Sequence, residues 1–379
     1  MTAAILKSED ATKCFPTGIA RGEAFINRHV ERNQLQKNIL ANRHLVLMAP
    51  RRYGKTSLIT EVASEINIPF CMVDFMTVHD DLTVRDALYE KVGKLVMELL
   101  PPIQQAKEKL LNIFGSMKPE LALSAFGQKL TFHTPSNPIS NIVDVLLKLD
   151  EAAVHFDKRA IIFIDEMQQI SFLKNASSIE GSIRHAVERS RNITYCFSGS
   201  SRHLLRKMFG DKERPLYRLC HTFELERIAK EHYRQSLNKL ALERWAEHLS
   251  SESFEAVLDL TESHPFYVNA LCQVLWMEKN VPSMTEVQET WRNYVRDNRH
   301  IISDDVIGLS LNQKKVLSIL AKEPAKEIYG AGFTVKTGLS LSSIRKAVDV
   351  LMEKDLIHVV NAHYTLVDPA IRYYLDNLL

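Results

Sequence analysis

Short apolar runs recur through the first 225 residues, and long stretches with helical spacing separate most of them. The runs are "LVLMA" (45–49), "FCMVDF" (70–75), "AIIFIDE" (160–166), "ITYCFSGS" (193–200) and "HTFEL" (221–225). Each is rich in branched or aromatic residues and nearly continuous in its apolar character, as in strands buried on both faces. Such strands alternating with helices predict an α/β layer built on a parallel sheet. Between the second and third runs, "TVRDALYEKVGKLVMELL" reads as a helix that stops at Pro101-Pro102. "LALSAFGQKLTFHTPSNPIS" alternates in part and reads as an inserted hairpin, and the helix "NIVDVLLKLDEAAVHF" leads into the third strand.

Beyond Leu225 the pattern is wholly helical to about residue 300. From about residue 309 a different unit begins. "NQKKVLSILAKE" is amphipathic. "SLSSIRKAVDVLMEKD" opens on a serine cap and places Leu341, Ile344, Val348 and Leu351 on one face. Ser342, Ser343, Arg345, Lys346 and Asp349 then point elsewhere. "LIHVVNAHYTLV" follows as two short strands around an Asn-Ala turn. That order predicts a winged helix-turn-helix, whose second helix is the one that enters a major groove. The expected division is 1–227, 228–305 and 306–379.

Composition narrows the classes. A chain of 379 residues exceeds the usual size of one core, about 250–300 residues. With 48 basic and 46 acidic residues the net charge is only +2, so a nucleic-acid surface has to be local. The C-terminal unit is similarly mild, with 9 basic against 7 acidic residues over 309–379. Five scattered cysteines, none in C-x-x-C spacing, exclude a disulfide framework and a zinc site and predict a reducing cytoplasm. The absence of a run of about 18 apolar residues predicts no membrane association. "MTAAILKSEDATK" lacks a signal-peptide core. The histidines are dispersed, and no metal beyond Mg2+ is expected.

The chemistry concentrates in "APRRYGKTS" (49–57), which departs from G-x-x-x-x-G-K-[ST] only at its first position, Ala49. Pro50, Arg51, Arg52 and Tyr53 fill the variable middle, and Ser57 follows the signature. In such a loop, backbone N–H groups and a helix N-terminus face an anion. Gly54 lets the backbone come close, Lys55 neutralises β- and γ-phosphates, and the Thr56 hydroxyl is placed to ligate Mg2+. Ala49 fits if its φ is negative, because the first glycine mainly eases the exit from the strand. Asp165-Glu166 ends the third run, 110 residues after Lys55. An acidic pair at a strand end also serves as a helix cap. In the same α/β pattern as the loop, Asp165 suits a Mg2+ shell and Glu166 suits activation of an attacking water. Trp245, Trp276 and Trp291 lie in helical stretches and read as core.

Six segments in order, "FINRHVERNQL" (25–35), "APRRYGKTSL" (49–58), "IIFIDEMQ" (161–168), "FSGSSRHLL" (197–205), "RPLYR" (214–218) and "ESHPFYVNALC" (262–272), carry a resemblance over roughly residues 20–300. Together they resemble the archaeal-type ATPase family of the AAA+/STAND assemblage, relatives of the origin-recognition ATPases. The resemblance implies a P-loop ASCE core, an all-α lid and a C-terminal winged helix. It implies ATP and Mg2+ as ligands, with Phe25 and Arg28 near the adenine, Gln168 near the γ-phosphate and Pro265 against the base. Ser198, Ser200 and Ser201 are candidates for a γ-phosphate sensor, Ser200 preferred. The basic stretch 202–220 would supply an arginine, Arg218 ahead of Arg214, to a neighbouring subunit of a homo-oligomer. Two departures stand out: Ala49, and Ser263 where glycine is expected. No arginine of the sensor-2 type is visible in 262–272.

The expected function is an ATP-binding and ATP-hydrolysing molecular switch acting on double-stranded DNA or a partner protein. The alternative is a STAND-type signalling scaffold with slow or no turnover, its winged helix docking protein. A small-molecule kinase is disfavoured, since no acceptor-binding segment is evident.

Overall fold

The computed structural model describes residues 10–26, 28–100, 112–124, 127–132 and 137–378, with 120–124 and 127–129 described in backbone only. Pro101-Pro102, residues 125–126, the segment 133–136 and the first nine residues therefore lie outside the described residues. The chain forms two compact units. One comprises 29–51 and 58–225; the other comprises 1–28, 52–57 and 226–379.

In the first unit β1 (Leu45–Met48), β2 (Phe70–Asp74), β5 (Ala160–Asp165), β6 (Ile193–Gly199) and β7 (His221–Glu224) form one sheet in the order β2-β5-β6-β1-β7. Every pairing is parallel. The three central strands match the reading of burial on both faces, since β1, β6 and nearly all of β5 are buried. The two edges differ. β2 alternates in burial and β7 is mostly exposed, because an edge strand has only one neighbour to cover it. Polar side chains on an edge also discourage pairing with another chain. The inserted hairpin is present as antiparallel β3 (Pro119–Ser124) and β4 (Gly127–Phe132).

Helices α1 (His29–Leu40), α2 (Lys55–Glu65), α3 (Asp81–Leu99), α4 (Pro138–His155), α5 (Ala176–Val187) and α6 (Arg202–Gly210) accompany these strands. Their starts follow local chemistry. Asp80 and Thr83 form a reciprocal capping box on α3, and Asn137 with Pro138 opens α4. From α4, the Asp150 carboxylate accepts hydrogen bonds from the backbone N–H of Arg191, Asn192 and Ile193 at 2.9, 2.8 and 3.1 Å. That clamp fixes the turn entering β6, the central strand of the sheet.

The second unit is helical until its end. It contains α7 (Lys230–Trp245), α8 (Ser251–Leu260), α9 (Pro265–Leu275), α10 (Met284–Asp297) and α11 (Arg299–Ile307). Trp276 and Trp291 are fully buried there, and Trp245 packs on Trp276 with ring centroids 4.8 Å apart. Then come α12 (Leu311–Lys322), α13 (Ala331–Thr337), α14 (Leu341–Glu353), the hairpin of β8 (Ile357–Val360) and β9 (His363–Leu366), and α15 (Pro369–Asn377). The Asn361-Ala362 turn has both residues at positive φ, 49° and 64°, as a two-residue hairpin with right-handed twist requires.

Sequence patterning missed α13 and α15. α13 spans only seven residues and buries just Phe333 and Thr337, too few for a periodicity to register. Leu341 corrects the expected apolar face of α14: it is 46% exposed, and the buried stripe is Ile344, Ala347, Val348 and Leu351. Its position at the helix start, one residue after the Ser340 cap, lifts it clear of the core. No helix among the described residues is long and apolar enough to cross a membrane.

Candidate nucleotide site

The loop leaves β1 where the central strands end together. Met48 pairs in register with Gly199 of β6, and Phe197 of β6 pairs with Ile164 of β5. Ala49 is fully buried and its backbone lies outside the left-handed region, so this position does not need glycine's conformational freedom. The left-handed conformations fall instead at Arg52 (φ 63°) and Gly54 (φ 84°). A Cβ on Gly54 would meet no atom within 4 Å, so backbone conformation rather than crowding is what requires glycine there. α2 then begins at Lys55, which is buried, with Thr56 half-buried and Ser57 buried.

Within its own compact unit, the apex of the loop is held from several directions. Arg28, buried and left-handed (φ 61°), donates from Nη2 to the carbonyl oxygens of Tyr53 at 3.1 Å and Glu226 at 2.9 Å. The structure thus shows Arg28 as a brace on the loop backbone. Ser57 Oγ accepts from Ala20 N–H at 3.0 Å. Arg52 lies over the Phe266 ring at 4.1 Å, a cation–π contact. Tyr53 is buried; its hydroxyl accepts from Arg227 Nε at 3.1 Å and its ring meets His264 edge-on at 4.7 Å. Burial, with Arg227 adding to it, pushes the His264 imidazole down to about 3, so it stays neutral against the tyrosine. Pro265 opens α9 as its first residue, where the fixed φ of proline suits the helix start. Phe25 is half-buried and closes the short 3-10 turn Gly22–Ala24.

The preceding Glu262 and Ser263 both occupy the left-handed region, at 48° and 55°. This explains the expectation of glycine at Ser263: a side chain there costs about 1–2 kcal/mol.

The acidic pair sits in the other unit. Asp165 ends β5, and its Oδ1 accepts from Glu166 N–H at 2.9 Å and from the Ser198 hydroxyl. Glu166 is left-handed (φ 52°), turning the chain into the Met167–Phe172 turn. Its Oε2 accepts from Ser200 Oγ at 2.8 Å and from Gln168 Nε2. Ser200 Oγ in turn accepts from Gln168 Nε2 and Arg51 Nε, each at 3.3 Å. The serine therefore uses its single donor and both lone pairs. Four of the expected residues, Arg51, Glu166, Gln168 and Ser200, meet at one point. Ser198 was one of three candidate serines in the sequence, behind the preferred Ser200; its hydroxyl donates to Asp165 instead.

Gln168 is buried, and its Oε1 has no hydrogen-bond partner among the described residues. An unpaired buried carbonyl beside a carboxylate is a place where a ligand or water can supply donors. Gly199 leaves the room for it: a Cβ there would fall 1.8 Å from Gln168 Oε1. Gly199→Ala should therefore displace Gln168, lower stability by about 1–3 kcal/mol and disturb Glu166. Thermal melting and ATP turnover of the variant check this; an unchanged melt with wild-type turnover would show that the glutamine is not held there.

Of the two candidate arginines, Arg214 is committed internally. It donates to both carboxylate oxygens of fully buried Glu180, Nε at 3.2 Å to Oε2, and to Ser171 Oγ at 3.1 Å. Arg218 is exposed and left-handed (φ 52°), with its guanidinium over the Tyr217 ring at 5.1 Å.

Residues 304–377 match the family model of a probable winged helix domain. In overall structure the chain is similar to the Walker-type ATPase PABY2304 of Pyrococcus abyssi, with a TM-score of 0.69 at 17% identity over 94% of this chain and 97% of that one. Its core has the fold of a Walker-type ATPase. The chain is also similar to Aeropyrum pernix ORC2 in its ADPNP-ADP complexes (TM-score 0.56, 11% identity, 93% and 94% covered). A further similarity is to Aeropyrum pernix ORC1 in complex with DNA (TM-score 0.51, 16% identity, 99% and 97% covered). No curated protein sequence matched. These likenesses bear out the P-loop α/β core and the C-terminal winged helix.

Sequence reasoning did not single out Arg227 or Glu262. Arg227 belongs to no motif and, just past the last strand of the sheet, looks like any solvated charge; Glu262 opens the segment 262–272 but was given no role of its own.

Proposed function

We propose that this chain binds ATP with Mg2+, hydrolyses it, and uses the change to move its helical and winged-helix parts on double-stranded DNA. The observation that carries the reading is the Glu166–Ser200–Gln168–Arg51 cluster at the strand ends from which the phosphate loop departs. Lys55 and the N–H groups at the start of α2 would hold the β- and γ-phosphates. Asp165 and Thr56 offer a carboxylate and a hydroxyl, the hard oxygen donors that suit Mg2+, which would neutralise charge on the phosphates. Glu166 would take the proton of the attacking water. Ser200 and Gln168 would orient that carboxylate and report on the γ-phosphate. The five cysteines are free, which suits a reducing cytoplasm.

The slow scaffold is supported by one feature of the same cluster. Glu166 Oε2 already accepts two hydrogen bonds, so it can accept from an attacking water only in competition with Ser200 and Gln168. ATP turnover with and without duplex DNA separates the two readings. A rate that rises with DNA supports the DNA-linked switch; a negligible rate that ignores DNA supports the scaffold.

Double-stranded DNA would meet the outer face of α14, where Arg345 and Lys346 are exposed and Arg345 is steadied over the Tyr329 ring at 5.7 Å. With so few cations the salt dependence should be shallow, each phosphate contact adding about −0.9 to the slope of log K against log salt. Reversing both charges, Arg345→Glu with Lys346→Glu, should weaken DNA binding beyond either single change and leave basal ATP hydrolysis intact. Fluorescence anisotropy at low salt with ATP present is the measurement. Wild-type affinity in the double variant would turn α14 into a protein-docking face.

A further inference from the structure

Two arginines from separate parts of the chain converge on the Glu262 carboxylate. Oε2 accepts from Arg227 Nη1 at 2.5 Å, and Oε1 lies 2.5 Å from Arg372 Nε. Arg227 spends every nitrogen. Nε goes to the Tyr53 hydroxyl at 3.1 Å, Nη1 also goes to the Glu262 carbonyl at 3.0 Å, and Nη2 goes to the Val367 carbonyl at 3.0 Å. Tyr53 belongs to the phosphate loop, and Glu262 lies between α8 and α9. Val367 and Arg372 lie within the winged-helix match. One guanidinium thus binds the loop, the helical part and the winged helix at once.

The Arg372–Glu262 pair is close but its Nε–H is not aligned for a hydrogen bond, so charge holds it. Arg372 Nη2 donates to Thr365 Oγ1 on β9, which anchors the arginine to the wing. A second tie runs alongside: the Tyr267 hydroxyl of α9 donates to the Asp368 carboxylate at 2.6 Å, and Asp368 caps α15. The three side chains at the junction, Arg227, Glu262 and Arg372, are each about a fifth exposed, so water screens them only partly.

We infer that the winged helix sets the conformation of the phosphate loop through the relay Arg372–Glu262–Arg227–Tyr53. A ligand that pulls the winged helix changes the loop's grip on phosphate, and by linkage bound nucleotide changes the affinity of the winged helix for that ligand. The output of the relay rests on the nucleotide reading above; the relay itself does not.

The test uses the full chain and two readouts. The first is hydrogen exchange of the amides of residues 51–57 without nucleotide, and the second is ATP–Mg2+ affinity. Arg372→Gln should speed exchange in the loop by roughly tenfold and shift ATP affinity by a factor of ~5 or more, the low end of ordinary coupling. Arg372→Lys, which keeps the charge opposite Glu262, should stay near wild type. Because the relay is serial, Tyr53→Phe combined with Arg372→Gln should change loop exchange no more than the larger single effect. Loop exchange unchanged in Arg372→Gln, an Arg372→Lys variant as perturbed as Arg372→Gln, or additive effects in the double variant would each overturn the relay. A wild type that fails to bind ATP while its loop exchange still responds to Arg372→Gln would sink the nucleotide reading and leave the relay standing. Normal ATP binding with an unresponsive loop would do the reverse.

Discussion

Lys55→Ala should lose ATP–Mg2+ binding by about 10²–10⁴-fold in calorimetry. Lys55 is buried at the first turn of α2, directly after the left-handed Gly54, and in a phosphate loop that position faces the β- and γ-phosphates. Charge-assisted hydrogen bonds contribute about 1.5–3 kcal/mol each, so two phosphate contacts amount to roughly 3–6 kcal/mol. Backbone N–H groups remain in the variant but leave that charge uncompensated. Circular dichroism of the variant without nucleotide would establish that it still folds. A folded variant that binds ATP–Mg2+ as tightly as the wild type would mean that residues 49–57 are not the phosphate site.

Glu166→Gln should keep ATP affinity and slow hydrolysis by roughly 10²–10⁴-fold, the contribution of a positioned general base. The amide retains the shape of the carboxylate. Its oxygen can still accept from Ser200, so the arrangement around Gln168 should persist. What it lacks is a carboxylate to take the proton of water. Asp165→Ala should behave differently, impairing the Mg2+-dependent part of binding, because Asp165 is held beside Ser198 and its own neighbour's N–H as a candidate Mg2+ ligand. Single-turnover hydrolysis beside equilibrium binding separates the two phenotypes. Equal turnover in Glu166→Gln and wild type would move the activation of water to another group.

How much of this was legible in the chain depended on how far apart the participants lie. A phosphate loop is contiguous, so "APRRYGKTS" could be recognised together with its strand and helix. The sequence even anticipated the tolerance of Ala49, since its burial and ordinary φ remove the need for glycine. The Asp165-Glu166 pair was legible because a hydrophobic strand delivers it. Helix caps at Asp80, Asn137 and Ser340 follow local rules of the same kind. Leu341 shows the limit of periodicity: spacing says which residues share a face, but not whether the partner surface extends to the first turn.

By itself the sequence determined the alternation of buried strands and helices, the contiguous phosphate loop, the acidic strand end and the winged-helix pattern. Each is set by near-neighbour backbone chemistry or by hydrophobic spacing. Only the tertiary structure decided the order β2-β5-β6-β1-β7, the separate partners of Ser198 and Ser200, the retirement of Arg214 into Glu180, and the junction at Arg227. Strand order depends on which crossovers pack best, and a polar cluster depends on side chains that many residues of intervening chain separate. Arg227, Glu262 and Arg372 are ordinary surface residue types in a one-dimensional reading. Partial burial in one another's company makes them a unit, because removing water is what gives each charge a strong interest in its partner.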